Sequence, residues 1–513
     1  MSRMHLAHQR PGAGSNFSTS ALRARLGEID AELAELHTRI ETLSAERKPI
    51  AATLDSIVYP ILTLPVEITS EIFTHHVYGL QDPEVADDDG SRLCLVELGT
   101  ATSAGPLLLA QICRTWRVIA LDTPSLWSRV QIPSRRWSSG LGKLLQSWLA
   151  RTTMNHPLHL KLELPGYDDR EPELIPSIVA RYAEQWVTFS CSLRWWSESS
   201  RTSSFIHGLR DRLPLLRELD TTVYTHGPEE HLTAPITAFS VAPKLRKATI
   251  VLISPEWITL PWPQLTHLTL DRQPGRNIPK CIKIGGEIPH LEVLSIEWGG
   301  SHEERPVPVT LRKVYKLRLN NTDSDADWTV DLLPYIVLPR LISLRVQSRH
   351  ASGKAQLAAF LQRSRCLVES VYLSSTFQSV MDVLLTMNEV KNLTFPFLKW
   401  KPQELAAFMH HIATDSHFLP DLQSLHIPVC DTLIPCTEVA DMLASRWHSS
   451  PRKLHSCRII RNDDYDAIPD ETPDPAIAEK LRVLKDDGLE IQIESLLASS
   501  DEFSYDVRKP FFE

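Results

Sequence analysis

The 513-residue chain has no stretch that approaches the ~20 consecutive apolar residues a membrane-spanning helix needs. Its opening residues, Met1 to Arg10, carry no apolar core ahead of a cleavage site, so no secretory signal is read there. Cysteine is sparse and scattered. The eight thiols, Cys94, Cys113, Cys191, Cys281, Cys366, Cys430, Cys436 and Cys457, include one close pair and no C-x-x-C, which excludes the paired spacing of structural zinc sites. They are expected as small buried apolar groups in a reducing compartment, and no metal or other cofactor is expected. An excess of positive charge is missing too: 54 Lys and Arg face 63 Asp and Glu, a net charge of −9. That balance argues against a chain-wide polyanion-binding surface, so nucleic acid is not an expected partner. Together these absences predict a soluble intracellular protein, in cytoplasm, nucleus or both, with no membrane partner.

The motifs of common chemistries are absent as well. Gly140-Leu141-Gly142-Lys143 lacks the first glycine and the following Ser or Thr of a P-loop. No G-x-G-x-x-G, G-x-S-x-G or H-E-x-x-H occurs. His75-His76 and His410-His411 are adjacent rather than helically spaced, and read as polar surface groups. No nucleophile–base pair can be nominated from spacing, so a non-catalytic protein is expected.

What is present is patterned. At about 150 residues per domain the length allows roughly three units. With 42% apolar and 23% charged residues the composition suits a buried core and argues against global disorder. Residues 1–20 are polar and rich in Gly, Pro and Ser, and read as a disordered tail. Then Leu22, Leu26, Ile29, Leu33, Leu36, Ile40 and Leu43 alternate steps of four and three. This is a heptad seam with d at Leu22, Ile29, Leu36 and Leu43 and a at Leu26, Leu33 and Ile40. Pro49 removes a backbone donor and is expected to kink or restart the helix. The seam fits either self-association or a partner helix through residues 22–43, or one amphipathic helix lying on its own domain.

Two further segments carry ordered motifs. In LTLPVEITSEIF (62–73), Pro65 suits a first helical turn, Glu67 lies near the positive helix N-terminus, and Ile68 and Ile72 share a face. In LLLAQICRTWRVIALDTPSLW (107–127), Leu108, Ile112, Trp116 and Ile119 keep helical spacing, and Asp122-Thr123-Pro124 reads as a stop followed by a fresh cap. A three-helix unit this small cannot bury all of its apolar side chains alone. The order L-P-x-E-I, I-F, I-C-R-x-W-R-x-I-A, L-W resembles the F-box, in particular the large fungal F-box families.

The resemblance implies binding to a Skp-type adaptor and, through it, to a cullin scaffold. It assigns adaptor contact to Leu64, Pro65, Ile68, Ile72, Ile112, Trp116 and Trp127. The segment between Phe73 and Leu107 departs from a compact F-box, and with Asp87, Asp88 and Asp89 it reads as an exposed acidic loop.

Beyond Trp148 the segment PLHLKLEL (157–164) alternates with period two, as a half-buried strand does. A pattern apolar-x-x-apolar-x-apolar then recurs. Its copies are Leu245-Ala248-Ile250, Leu265-Leu268-Leu270, Leu291-Leu294-Ile296, Val314-Leu317-Leu319, Leu341-Leu344-Val346, Val368-Val371-Leu373, Val390-Leu393-Phe395, Leu422-Leu425-Ile427 and Leu454-Cys457-Ile459, after an imperfect Leu216-Leu219-Thr221. Pro often stands two residues ahead. Spacings of 29, 20, 26, 23, 27, 27, 22, 32 and 32 residues match leucine-rich repeats of about 20–29 residues with some slack. The other reading is a non-repetitive α/β domain with Leu-rich strands. The adjacent Trp195 and Trp196 cannot share one face of a strand, so one is a partner anchor or both are packed under the repeats.

The organisation read from sequence is a tail (1–20), an amphipathic or coiled-coil helix (21–58), an F-box with acidic insertion (60–132), a connecting region (133–205), a leucine-rich-repeat-like domain (206–495) and a cap or tail (496–513). As a fold class this is an α+β or α/β solenoid. The function implied is the substrate-recognition subunit of a cullin–RING ubiquitin ligase, with an unassigned target surface. Two other readings stand beside it: a repeat scaffold that binds partners without ubiquitination, and an unrecognised hydrolase or transferase within 180–500, which requires a pocket of convergent polar groups.

Overall fold

The computed structural model describes residues 19–56, 60–79, 96–97, 105–133, 139–153, 156–164, 174–195, 205–225, 234–300, 306–322, 332–347, 354–374, 376–387, 389–395, 400–430, 436–462, 475–498 and 505–510. The chain divides into two compact units, Met1–Ile72 and Phe73–Glu513. Residues 1–18 of the expected tail, most of the acidic insertion with Asp87 to Asp89, and Trp196 lie outside the described residues.

The first unit is built on one long helix, α1 (Thr19–Ser56). It continues through Pro49 rather than restarting there. Pro49 deprives only the Ala45 carbonyl of its i→i−4 donor, and on a helix exposed all along this stretch water can serve that carbonyl. Downstream, a 3-10 turn (Pro60–Thr63) leads into α2 (Val66–Tyr78), which ends in the second unit. Pro65 stands just ahead of α2, where its carbonyl accepts from both the Thr69 N–H (3.0 Å) and the Thr69 hydroxyl (3.1 Å).

The second unit is mixed helix and sheet. Among its described residues the main sheet has sixteen strands: β1 (Val96–Glu97), β2 (Arg129–Ile132), β3 (Leu158–Glu163), β4 (Trp186–Trp195), β5 (Glu218–Thr225), β6 (Lys247–Val251), β7 (His267–Pro274), β8 (Val293–Gly299), β10 (Lys316–Asn321), β12 (Ser343–Gln347), β13 (Ser370–Ser374), β14 (Asn392–Thr394), β15 (Ser424–Cys430), β16 (Ser456–Asn462), β17 (Glu490–Ala498) and β18 (Tyr505–Pro510). The short β9 (Val309–Thr310) and β11 (Ile336–Val337) pair with each other. Each main-sheet strand lies beside the next one in the chain, and every pairing is parallel except the last, in which β18 runs antiparallel to β17. Such an order has no reversal point of the kind found in doubly wound sheets.

Register explains the recurring pattern. The middle apolar residue of every copy occupies one continuous row, Leu219, Ala248, Leu268, Leu294, Leu317, Leu344, Val371, Leu393, Leu425 and Cys457, each the direct partner of the next. The first apolar residue of each copy is buried as well. Its lead-in proline sits at the second position of a tight turn, in which Leu216, Leu245, Leu265, Leu291, Leu341 and Leu422 donate their N–H to the carbonyl three residues back. Returns vary with spacing: the 20-residue step from β6 to β7 uses two 3-10 turns, and the 32-residue steps contain helices Pro402–Thr414 and Cys436–Trp447.

The row extends upstream of the expected limit at 206, and within the expected domain it runs on past the last copy of the pattern. Val96, Val130, Leu160 and Phe189 continue it upstream and Ile491 downstream. Residues 133–205, set apart above as a connecting region, therefore contribute α5 (Ser139–Leu149), β3, α6 (Leu174–Ala180) and β4 to the unit that holds the repeats. Two copies there begin with tryptophan, Trp127-Val130-Ile132 and Trp186-Phe189-Cys191, and both indoles are fully buried. The insertion is also less of a loop than its composition suggests: His75–Tyr78 complete α2, and Val96–Glu97 pair with Val130–Gln131.

Along β3, β8, β10 and β13 burial alternates strictly, with one face buried and the other half-exposed. Parallel sheets covered on both faces read instead as continuous apolar runs. A Leu344→Ala variant removes a side chain from the middle of the row, and should cost about 2–5 kcal/mol in chemical denaturation. Ile342→Ala, at a 46 % exposed position two residues away, should stay within about 0.5 kcal/mol.

Candidate partner-binding faces

Around the start of α2 the first unit carries a dense apolar surface. Ile61, Leu62, Leu64, Val66, Ile68 and Ile72 are each 38–51 % exposed. The 3-10 turn presents the first two, and the i, i+4 spacing puts Ile68 and Ile72 on one helix face. Pro65 is exposed beside them, and Thr69 is buried. Apolar side chains this close together in solvent mark an interaction surface more often than chance.

In the second unit, α3 (Pro106–Ile112) and α4 (Arg114–Asp122) meet at Cys113, whose sulfur accepts the Trp116 N–H at 3.4 Å and so caps α4. Ahead of them, Gly105 has φ +80° and a Cβ there would lie 3.0 Å from Val96, so glycine is required at the entry. Ile112 and Val118 are exposed. Trp116 is half-buried and packs edge-on against Phe73 at 4.9 Å, and its buried indole N–H has no partner among the described residues.

Trp127 departs from the adaptor-facing role expected for it. It is fully buried, donates its indole N–H to the Ala120 carbonyl (2.8 Å) and packs edge-on against Trp148 at 4.7 Å. The reason is positional, since Trp127 is the first core residue of the β2 copy. Tyr78 locks the same corner, donating to the Leu126 carbonyl at 2.8 Å, and burial holds its phenol well above the usual range. The assigned residues thus fall into an exposed set (Leu64, Pro65, Ile68, Ile72) in the first unit, exposed Ile112 and half-buried Trp116 in the second, and one core residue.

A further face was not assigned from the sequence. On the half-exposed side of the sheet, the residues between the second and third apolar positions form a register row: Arg318, Arg345, Tyr372, Thr394, His426 and Arg458. Arg345 stacks on Tyr372, 3.7 Å from the ring centre, and donates to its hydroxyl at 2.8 Å. Strands β10, β12, β13, β14, β15 and β16 contain no Asp or Glu at all. Acidic residues fall on the flanking strands: Glu218 and Asp220 in β5, Asp271 in β7, Glu297 in β8, and Glu490 and Glu494 in β17. Asp271 and Glu297 crowd one another, and burial with that like charge raises the Glu297 carboxyl. Lys247 pairs with Glu218 at 2.9 Å, so the charge of that cation is offset locally.

Among the described residues no three His, Cys, Asp or Glu side chains come together as a metal site, and no helix is long and apolar enough to cross a membrane. One core cavity is lined by aliphatic side chains alone, Ile282, Leu294, Ile296, Leu317 and Leu319 among them, and offers no polar group for chemistry. Trp195 lies at the end of β4. Family models give no match to this chain, and neither do the curated proteins.

Three histidines on the half-exposed sheet face respond to acid in the same sense. Burial is the main cause in each: it pushes His159 down to about 4 and lowers His267 and His426. The unfolded chain then binds more protons than the folded one between pH ~6.5 and ~4, so stability is complete above that window and falls as pH drops through it. Denaturation midpoints measured from pH 7 to 4 should decline, and His159→Gln should flatten the decline.

Proposed function

We propose that the chain is the substrate-recognition subunit of a cullin–RING ubiquitin ligase, docking through an F-box on a Skp-type adaptor and holding its target on a leucine-rich-repeat-type solenoid. The observation that carries the first half is the exposed apolar set at Leu64, Ile68 and Ile72 beside Pro65, lying within the ordered F-box-like motifs. Water-exposed aliphatic side chains cost nothing structural to lose, so their presence is best accounted for by a partner that covers them. Ile112 and Trp116 are the matching candidates in the second unit. Trp127 is not among them, because it belongs to the core.

The second half rests on strand order and register. Parallel strands that pair only with their chain neighbours, with leucine at fixed positions and returns of 20 to 32 residues, fit stacked coils that cannot bury their apolar residues singly. The half-exposed row Arg318, Arg345, His426 and Arg458, set on strands without acidic residues, suits an extended segment of negative charge. A peptide is favoured over nucleic acid on two grounds. The net charge of −9 repels a long polyanion, and Tyr372, the aromatic of the row, already has Arg345 on its ring. In such a subunit no catalytic side chain is needed. It raises the effective concentration of its target near a conjugating enzyme held elsewhere.

Affinity capture with a purified Skp-type adaptor tests the first half. The intact chain should be retained, and Leu64→Ala with Pro65→Ala should lose affinity about a hundredfold, a few kcal/mol, with unchanged circular dichroism. Folded intact protein that fails to bind would remove the ligase reading and leave a repeat scaffold. For the second half, fluorescence anisotropy of a labelled ten-residue peptide rich in glutamate should report salt-sensitive binding. Arg345→Ala with Arg458→Ala should weaken it tenfold or more, and an equal affinity in that variant would discard the row as target surface without touching the adaptor result.

A further inference from the structure

Every apolar seam residue of α1 from Leu22 to Ile50 is 40–61 % exposed. What covers that seam can be read from the charges beside it. With a at Leu26, Leu33 and Ile40, the g positions are Arg25, Glu32, Arg39 and Glu46, and the e positions are Arg23, Asp30, His37 and Ser44. The g series alternates in sign and becomes its own complement when the helix is turned end for end.

We infer that α1 pairs with α1 of a second copy of this chain, antiparallel, with the two-fold axis between Ala34 and Glu35. In that register Leu26 faces the partner's Leu43, Ile29 the partner's Ile40 and Leu33 the partner's Leu36, so the six central layers are wholly apolar. Arg25 meets the partner's Glu46, Glu32 the partner's Arg39 and Asp30 the partner's His37, and symmetry repeats each pair. In the single chain Arg25 donates to Glu28 at 2.8 Å, but both groups are about two-thirds exposed and such a pair is readily exchanged. Pro49 falls at a c position, outside the seam.

The same charges oppose the alternatives. Sliding the antiparallel pair by one heptad in one direction sets Glu32 against the partner's Glu32, Asp30 against the partner's Asp30 and Arg25 against the partner's Arg39. Sliding it the other way sets Arg39 against the partner's Arg39 and Glu32 against the partner's Glu46. A parallel pair puts Arg47 opposite the partner's Arg47 in a core layer. Parallel two-stranded pairing is favoured by β-branched residues at a with Leu at d. Ile40 and Leu22, Leu36 and Leu43 fit that pattern, whereas Leu26 and Leu33 at a and Ile29 at d do not, so the charges decide between the orientations. In the antiparallel pair Arg47 lies beside the partner's Leu22, where its stem packs and its guanidinium reaches water. From Leu22 to Arg47 the paired seam spans about 38 Å at 1.5 Å per residue, about three and a half heptads, within the range a two-stranded coil needs. Self-complementarity in a single register, with mismatch in its neighbours, is what a homodimer requires and what a heterologous partner helix does not.

The test uses the full chain and light scattering coupled to size exclusion at micromolar concentration. The wild type should run at about twice the 58.1 kDa chain mass. Arg25→Glu with Arg39→Glu makes the g series wholly acidic, and Glu32→Lys with Glu46→Lys makes it wholly basic. Each variant alone should be monomeric, and an equimolar mixture should recover the dimer mass. Orientation follows from oxidative crosslinking read by peptide mass spectrometry. Leu26→Cys mixed with Leu43→Cys should link position 26 to position 43, and Leu26→Cys alone should not link to itself. A monomeric wild type, a dimer indifferent to the charge variants, or a 26–26 crosslink would each overturn the inference. None of these outcomes depends on adaptor binding.

Discussion

The second unit depends on the backbone ladder between strands that are neighbours in the chain. No strand satisfies its own outward-facing N–H and C=O groups; they are paired by the strand before and the strand after. The unbroken row from Val96 to Ile491 is the record of that dependence, because a single misaligned strand would leave its partners on both sides unpaired. Everything else accommodates it. In six copies a lead-in proline sets the turn that brings the chain to its row, and returns lengthen or shorten from 3-10 turns to helices while the row stays continuous.

One consequence is a division of labour within six residues. In each copy three positions face the interior and the residue between the second and third faces outward, so core and surface are written on the same short strand. Packing keeps the three inward positions buried and, with Thr221 the exception, apolar, and the outward one varies freely. That is why Arg318, Arg345, Tyr372, His426 and Arg458 stand in line without belonging to any local motif. Asp220 holds the same outward position in β5, and Asp271 and Glu297 follow the third apolar residue of β7 and β8.

Much of this was legible in the sequence, and the failures are instructive. The heptad steps marked α1 correctly because a charged outer face leaves no other period. The apolar-x-x-apolar-x-apolar pattern marked the places of β5 to β8, β10 and β12 to β16, and left out the short β9 and β11. It begins too late at its N-terminal edge because Trp127 and Trp186 fill a slot sought as leucine, although the spacings there, 30 and 29 residues from Val130 to Leu160 to Phe189, lie within the range of the other copies. The same oversight sent Trp127 to a surface: an F-box-like L-W and a repeat's opening aromatic are indistinguishable in sequence, and only burial separates them. Pro49 misled for a different reason. On a helix exposed along this stretch, water can serve the carbonyl that Pro49 deprives, so the helix runs on instead of restarting. The cationic row was present in every copy as the residue between two core positions, and it became visible only once register aligned the strands.

Strict alternation along the strands gives the gene an uneven tolerance to length change. An extra codon between β14 and β15 falls in a stretch whose length already differs from copy to copy, and leaves every facing intact. One codon lost inside β12 reverses it, turning Arg345 toward the aliphatic interior and Leu344 toward water. In-frame indels in this protein should therefore collect on the return side of the coils and be purged from the strand side, a signature that divergence among natural variants can carry without any change in composition.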